Sequence, residues 1–309
     1  MTMKIGVVGL GLMGLSIAKN LAKAGFSVTA YDTRPGIAAG IDALTQVADV
    51  AEVGRSSDIV FLSLPGPVEV TDVCTGEGGL AGTMREGGTV FDLSTNSVAT
   101  VKSLRVELAK KGIRFLDAPV SGGPWGAADG TLAIWVGGDK EAYEQGRPAL
   151  DAIGKRITHM GDIGTGTVTK LVHNTAANIR TAMLGEVLAL GVKGGIEPTA
   201  LFSAIRDGSH GRQRTFDSLG GKILDGSFDD PAFKLRHARK DMAVAIELGG
   251  ELGVPMDLTA ATMIKLEEAM ERGWGDRDSN SHVKIQQEKA GIEVPPVEKS
   301  VLAAIVARD

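Results

Sequence analysis

Residues 9–14 read Gly-Leu-Gly-Leu-Met-Gly, directly after the apolar run 4–8 and directly before a helical pattern. Three glycines at that spacing, between a strand and a helix, suit the pyrophosphate of a dinucleotide. Gly9 makes the tight turn, Gly11 lets phosphate approach the backbone, and Gly14 lets helix and strand pack closely. Leu10, Leu12 and Met13 complete the loop. The helix start behind them faces an anion with unpaired N–H groups and the positive end of the helix dipole. Asp32 closes the next apolar run. A carboxylate there can accept both ribose hydroxyls and would repel a 2′-phosphate, so NAD is favoured over NADP. Arg34 argues the other way, because a nearby arginine can serve that phosphate. For the glycine triplet and for Asp32 the plain alternative is a turn with no ligand.

Two more apolar runs end in Ser63-Leu64-Pro65 and Leu93-Ser94-Thr95. Open α/β sheets bind ligands outside the carboxyl ends of their strands. Leu64 and Pro65 are therefore expected on the adenosine side and Thr95 near the nicotinamide, with simple turn chemistry as the alternative. Ser121-Gly122-Gly123 follows Pro119 at another strand end. A hydroxyl and unhindered backbone N–H groups at such a turn can hold a carboxylate, and a glycine-rich turn alone is the other reading. Further on, Lys170 and Asn174 are four residues apart and share one face of a helical pattern. Oxidising an alcohol by hydride removal needs a base for the hydroxyl proton, and the reverse reaction needs an acid. A lysine does both only when burial or a nearby cation lowers its pKa. Taken alone, a helix lysine reads as a solvated surface charge.

The elements that must position these groups fall into two halves. Candidate strands at 4–8, 27–31, 59–63, 89–93, 114–116, 132–136 and 157–159 alternate with helical stretches such as 12–24, 98–111 and 140–153. That alternation predicts a parallel sheet covered on both faces. After about Gly164 the strand patterns stop, and 167–193 is a proline-free helical run rich in alanine and leucine. Helices are expected at 198–206, 216–224, 234–252, 256–271 and 281–290. The expectation is an α/β chain: a Rossmann-like doubly wound N-terminal sheet over 1–163, then an all-helical domain over 164–309 for substrate binding and dimerisation, entered through a long spine helix.

The bulk composition is compatible with this. The 309 residues are 43% hydrophobic and 23% charged, enough apolar material for two cores. A formal net charge of −5 argues against nucleic acid or anionic membrane as partner, since both need a basic field. The 42 glycines are about twice the usual ~7% share and cluster at the ends of apolar runs, as expected where turns approach a ligand. Cys74 is the single cysteine, so no intrachain disulfide forms, and it is expected to be inert and half-buried. No compact set of metal ligands stands out, and no apolar run approaches a membrane span. The opening residues MTMKIGVVGLG lack the parts of a signal peptide, so a reducing cytoplasm is the expected setting.

Four blocks together resemble the β-hydroxyacid dehydrogenase family, which includes 3-hydroxyisobutyrate dehydrogenases and tartronate semialdehyde reductases. They are GLGLMGLSIAKNLAKAG at 9–25, DAPVSGGPWGAADGTLAIWVGG at 117–138, GTGTVTKLVHN at 164–174, and the Lys240-Asp241 pair. The resemblance implies that Lys170 is the general acid and base, with Asn174 hydrogen-bonding the substrate oxygen. It implies that Ser121, Gly122 and Gly123 hold the substrate carboxylate, and that Lys240 reaches the cofactor. His173 beside this face either orients substrate or packs against a neighbouring helix.

The segment 206–240 departs from the family in its arginines, reading SHGRQR after Gly208. Arg206, His210, Arg212, Arg214, Lys234, Arg236, His237, Arg239 and Lys240 either form a solvated, salt-bridged face or line a cleft for a substrate with a second anion. The implied partner is a small hydroxy-carboxylate, and the implied assembly a homodimer or homotetramer. Rival readings are a non-catalytic NAD-binding scaffold, an imine reductase, and an oxidative decarboxylase of a β-hydroxy acid. Retention of Lys170 counts against the first two.

Overall fold

The computed structural model describes residues 3–208, 217 and 219–307. The chain divides into two compact units, Met1–Leu171 and Val172–Asp309.

The first unit is built on a nine-stranded sheet. Its strands are β1 (Lys4–Val8), β2 (Ser27–Tyr31), β3 (Leu44–Gln46), β4 (Ile59–Leu62), β5 (Thr89–Asp92), β6 (Arg114–Asp117), β7 (Val120–Ser121), β8 (Leu132–Gly137) and β9 (Gly154–Gly161). They lie in the order β3-β2-β1-β4-β5-β6-β8-β7, with β9 paired to β8. From β3 to β6 every pairing is parallel. Beyond β6 the sheet departs from the all-parallel expectation, because β8 runs antiparallel to both β6 and β7. The β6–β8 connection is taken up by β7 and a seven-residue helix, and hydrophobic alternation carries no information on strand direction.

Helices α1 (Leu12–Lys23), α2 (Val50–Ser56), α3 (Pro67–Thr75), α4 (Leu80–Thr83), α5 (Val98–Ala109), α6 (Gly123–Asp129) and α7 (Lys140–Asp151) cover the sheet. Successive strand residues point to opposite faces. Ile5, Val7, Phe61, Phe91 and Leu116 therefore pack with Ile17 and Leu21 of α1 and Tyr143 and Leu150 of α7. Their neighbours Val8, Val60, Leu62, Val90 and Phe115 meet Val53, Val70, Leu104 and Leu108 on the other side. Each large apolar side chain so buried contributes about 1.5–3 kcal/mol. Two buried faces explain why these strands read as continuous apolar runs. Cys74 belongs to the second cluster and is fully buried rather than half-buried, and burial pushes its thiol pKa up.

Helix α8 (Thr165–Lys193) starts in the first unit, and the boundary falls within it. The second unit continues with α9 (Pro198–Asp207), a π-helical segment Leu219–Leu224, α10 (Leu235–Leu252), α11 (Asp257–Glu271), α12 (Val283–Lys289) and α13 (Lys299–Val306). Glu197 caps α9 by accepting from the N–H groups of Thr199 and Ala200, with Pro198 in the first turn. One cluster joins Leu184, Leu188, Phe202, Ile223, Val283 and Leu302. Another joins Leu235, Met242, Leu266 and Ile285. Among the described residues strand-like pairing here is limited to the bridge between Lys234 and Asp278. The helix expected over 216–224 is described from Leu219 and is π-helical rather than α-helical. No described helix is long and apolar enough to cross a membrane.

Candidate active site

The turn from β1 into α1 contains glycines required for different reasons. Gly9 has φ +92, and a Cβ there would lie 2.3 Å from the Ser63 carbonyl oxygen. A Cβ on Gly14 would lie 1.9 Å from the Gly9 carbonyl oxygen, so strand and helix meet backbone to backbone. Around Gly11, at the N-cap of α1, a Cβ would meet nothing within 4 Å. Protein fills the space at Gly9 and Gly14. At Gly11 the space is open beside a helix start, which fits a phosphate. Leu10 buries its side chain in the core, while Met13 packs partly against it and Leu12 is exposed.

Asp32 is tied into the same turn. Its Oδ2 accepts from the Leu10 N–H at 2.7 Å, and its Oδ1 accepts from the N–H and Nε of Arg34 at 2.9 and 2.8 Å. Arg34 Nη2 also donates to the Leu10 carbonyl at 3.1 Å. The Arg34 guanidinium holds the Asp32 carboxyl well below its usual range, at about 2. Asp32 is thus a fixed anion at the end of β2.

Two neighbouring strand ends are cross-linked. Ser94 Oγ accepts from the Leu64 N–H at 2.9 Å, and Leu64 Cδ2 abuts the Gly9 turn. Pro65 is exposed and Thr95 half-buried. The Thr95 loop is held from beneath by buried Asp92, which accepts from the Ser94 N–H at 3.0 Å and from Asn96 Nδ2 at 2.8 Å. Burial, with a smaller contribution from Asp117, pushes Asp92 up to about 6.

Ser121 pairs with Ala133 across β7 and β8 and is followed by Gly122 at φ +136 and Gly123 at φ +62, conformations that exclude most side chains. Lys170 is half-buried in α8, and its Nζ donates to the Val120 carbonyl at 2.7 Å. The first unit therefore brings Lys170 to the edge of the Ser121 segment. Asp117, which sequence reasoning did not single out, sits buried at the end of β6. Its two oxygens accept from the N–H groups of Gly164 and Thr167 at the start of α8, at 2.8 and 2.6 Å. Gly164 is 47 residues along the chain, so no local pattern signals the contact.

In the second unit, buried Asn174 donates from Nδ2 to Asp241 Oδ2 at 2.6 Å, and its Oδ1 lies 3.0 Å from His173 Nδ1. A carboxylate only accepts, so Asp241 fixes which way the amide faces. Asp241 is a second unassigned partner, visible in sequence only as the neighbour of Lys240. Lys240 Nζ lies 2.9 Å from Asp241 Oδ1, though off the direction of a hydrogen bond. His173 is exposed.

The basic segment divides. Arg206 is buried and bonds Asp217 at 2.7 Å and the Val306 carbonyl at 2.9 Å. Lys234 and Arg236 both pair with Asp276, at 2.8 and 2.5 Å, and Arg239 pairs with Glu267 at 2.6 Å. These four are held by internal ion pairs, while His210, Arg212 and Arg214 lie outside the described residues. Burial and the cations Lys240 and Arg236 lower the pKa of His237. Among the described residues no group of three or more His, Cys, Asp or Glu could hold a metal ion.

Residues 4–161 match the NAD binding domain of 6-phosphogluconate dehydrogenase, and residues 164–286 match the domain described as NAD-binding of NADP-dependent 3-hydroxyisobutyrate dehydrogenase. The chain is 37% identical to the 2-(hydroxymethyl)glutarate dehydrogenase of Eubacterium barkeri, over 95% of this chain and 98% of that one. This chain belongs to the β-hydroxyacid dehydrogenase family. As a β-hydroxyacid dehydrogenase it is an NAD(P)-dependent oxidoreductase acting on a CH–OH carbon. Another relative is the 2-hydroxy-3-oxopropionate reductase of Escherichia coli, 30% identical over 91% of this chain and 96% of that one. Among solved structures, 3-hydroxyisobutyrate dehydrogenase of Mycobacterium tuberculosis with L-serine is 26% identical with a TM-score of 0.80, covering 92% of this chain and 99% of that one.

Proposed function

We propose that this β-hydroxyacid dehydrogenase reversibly oxidises a small β-hydroxy acid to the semialdehyde or keto acid with NAD, using Lys170 as general base and acid. The observation that carries the reading is the Lys170 Nζ bond to the Val120 carbonyl, one residue from Ser121. It places an amine beside the segment to which we assign the substrate carboxylate. In this reading Ser121, Gly122 and Gly123 hold that carboxylate, and Asn174 bonds the substrate hydroxyl. Lys170 removes the hydroxyl proton in oxidation and returns it in reduction. Gly9 to Gly14, Asp32, Leu64, Pro65, Thr95 and Lys240 hold the dinucleotide. Bound there, nicotinamide accepts or returns the hydride. Fixing substrate and amine together supplies much of the rate.

NAD rather than NADP is the finer choice. Asp32 is ionised across the working pH range and repels a 2′-phosphate, while Arg34 is already bonded to Asp32 and the Leu10 carbonyl. The substrate class includes acids with a second carboxylate, because the 37% relative is named for a hydroxymethyl dicarboxylate. With Arg206, Lys234, Arg236 and Arg239 held in ion pairs, His210, Arg212, Arg214 and His237 are the remaining candidates to meet it.

The test follows NADH absorbance with 3-hydroxyisobutyrate, D-glycerate, L-threonate, L-serine, 3-hydroxypropionate and hydroxy-diacids, with NAD and NADP in parallel and Lys170→Ala alongside. Turnover is expected with NAD preferred, and Lys170→Ala is expected to lower kcat by roughly 10²–10⁴-fold. Cofactor binding without turnover, or a lysine variant as active as wild type, sinks the assignment. Release of carbon dioxide would identify an oxidative decarboxylase instead.

A further inference from the structure

We infer that Asp117 is a positioning residue for Lys170, fixing the start of α8 against the strand end that leads to Ser121. The inference rests on the reading of Lys170 given above.

Its basis is the short segment from Asp117 to Val120. Asp117 grips the first turn of α8 through Gly164 N–H at 2.8 Å and Thr167 N–H at 2.6 Å. Three residues later the Val120 carbonyl receives the Lys170 ammonium at 2.7 Å. Thr167 and Lys170 are one helical turn apart, so a rigid helix transmits any shift at Thr167 to the amine. Ser121 does not move with that shift, because β7 is paired to β8. The two bonds of Asp117 thus set where Lys170 lies relative to the Ser121 segment.

The surroundings are shaped for a carboxylate. A Cβ on Gly137 would come within 2.5 Å of Asp117 Oδ1, and one on Gly166 would come within 2.3 Å of the Trp135 carbonyl oxygen and 3.1 Å of Asp117 Oδ2. Gly164 takes φ +95, which turns its N–H toward the acid. Both oxygens face N–H donors, and a carboxyl group accepts at both. An asparagine would set its own NH₂ against one of them. Burial raises the carboxyl's pKa, and the two N–H bonds act against that rise. This arrangement also links two of the sequence blocks physically: the acid that opens 117–138 is bound by the glycine-flanked start of 164–174.

The experiment is a double-mutant cycle on the full-length chain: wild type, Asp117→Asn, Lys170→Ala and the double variant, each checked for folding by circular dichroism. Asp139→Ala serves as control, since Asp139 caps α7 by accepting from the Ala142 N–H. Asp117→Asn is expected to lower kcat about 10- to 100-fold, the cost of an ångström-scale misplacement, with the KM for NAD within about 3-fold. In the Lys170→Ala background the same substitution is expected to add less than about 3-fold, because the group it positions is gone. Asp139→Ala is expected to leave kcat unchanged. If the two losses multiply, or Asp117→Asn keeps full kcat while Lys170→Ala collapses, the positioning role is overturned and the lysine assignment stands. Full activity of Lys170→Ala overturns both. Should Asp117→Asn fail to fold, Asp117→Glu keeps both acceptor oxygens but shifts the grip on α8 by one methylene. It is expected to show the same split between kcat and cofactor KM, and an unchanged kcat there overturns the role.

Discussion

Asp92 and Asp117 end adjacent parallel strands in direct register, and each anchors a loop or helix start that carries a proposed site residue. Water is excluded from both, and burial raises both carboxyl pKa values. For Asp92 the folded value is about 6, against 3.8 for the unstrained group. The folded chain therefore binds this proton more tightly than the unfolded one. The group's favourable contribution is fully present below about pH 4 and is lost as pH rises through about 6. That difference corresponds to ~3 kcal/mol. Urea unfolding of wild type and Asp92→Asn at a series of pH values checks it. Wild type is expected to lose ~2 kcal/mol of this relative to the variant between pH 4 and 7. A gap that stays constant with pH removes Asp92 as the titrating group. At this scale the sequence exposes the residues whose reasons are local. The glycine triplet and Asp32 lie within one strand-helix-strand unit, so their spacing alone signals the turn to which we assign the dinucleotide. Asp92, Asp117 and Asp241 read as ordinary acids, because their partners lie on other elements or in a loop conformation that hydrophobic patterning does not encode.

At the scale of elements, the β1–α1 turn permits a sharper test than the motif itself. Gly14 is glycine because the Gly9 carbonyl occupies its Cβ position, whereas the Cβ position of Gly11 is open and its φ of −66 suits any residue. Gly14→Ala is expected to force the helix off the strand and destabilise the first unit by several kcal/mol, in the range of core overpacking or above. Gly11→Ala is expected to leave Tm within about 1 °C, since its Cβ meets no protein atom, yet to weaken NAD at least about 10-fold by obstructing the approach of phosphate to the backbone. Thermal melts with and without NAD separate the two. Equal destabilisation of the apo protein by both substitutions would show that Gly11, too, is structural. Long elements were legible because periodicity accumulates over their length. The strands over 4–8 and 27–31 are found with the expected bounds, and the helical run expected at 167–193 is α8 with two more residues at its start. Short ones were not: β3 and β7 have three and two residues, too few for alternation to stand out. Helices α2, α4 and α6, with seven, four and seven residues, were missed for the same reason.

On the scale of the whole molecule, the surface of the helical unit is the feature least explained by one chain. Among the described residues, two thirds of the large apolar side chains that are exposed lie in it, although it is the shorter unit. Leu190, Leu258 and Ile264 on α8 and α11 are 78%, 71% and 69% exposed. Single exposed leucines are ordinary, but repeated ones on long helices fit a surface covered by another copy of the chain. Closed symmetric assemblies are the common solution. Sedimentation equilibrium at micromolar concentration is expected to give two or four times the chain mass of 32.1 kDa. Leu258→Glu together with Ile264→Glu is expected to shift the population toward monomer while circular dichroism stays unchanged, since neither side chain supports the core of its own unit. A mass that stays at one chain across the concentration range would mean that this apolar surface faces water and that the helical unit is complete alone.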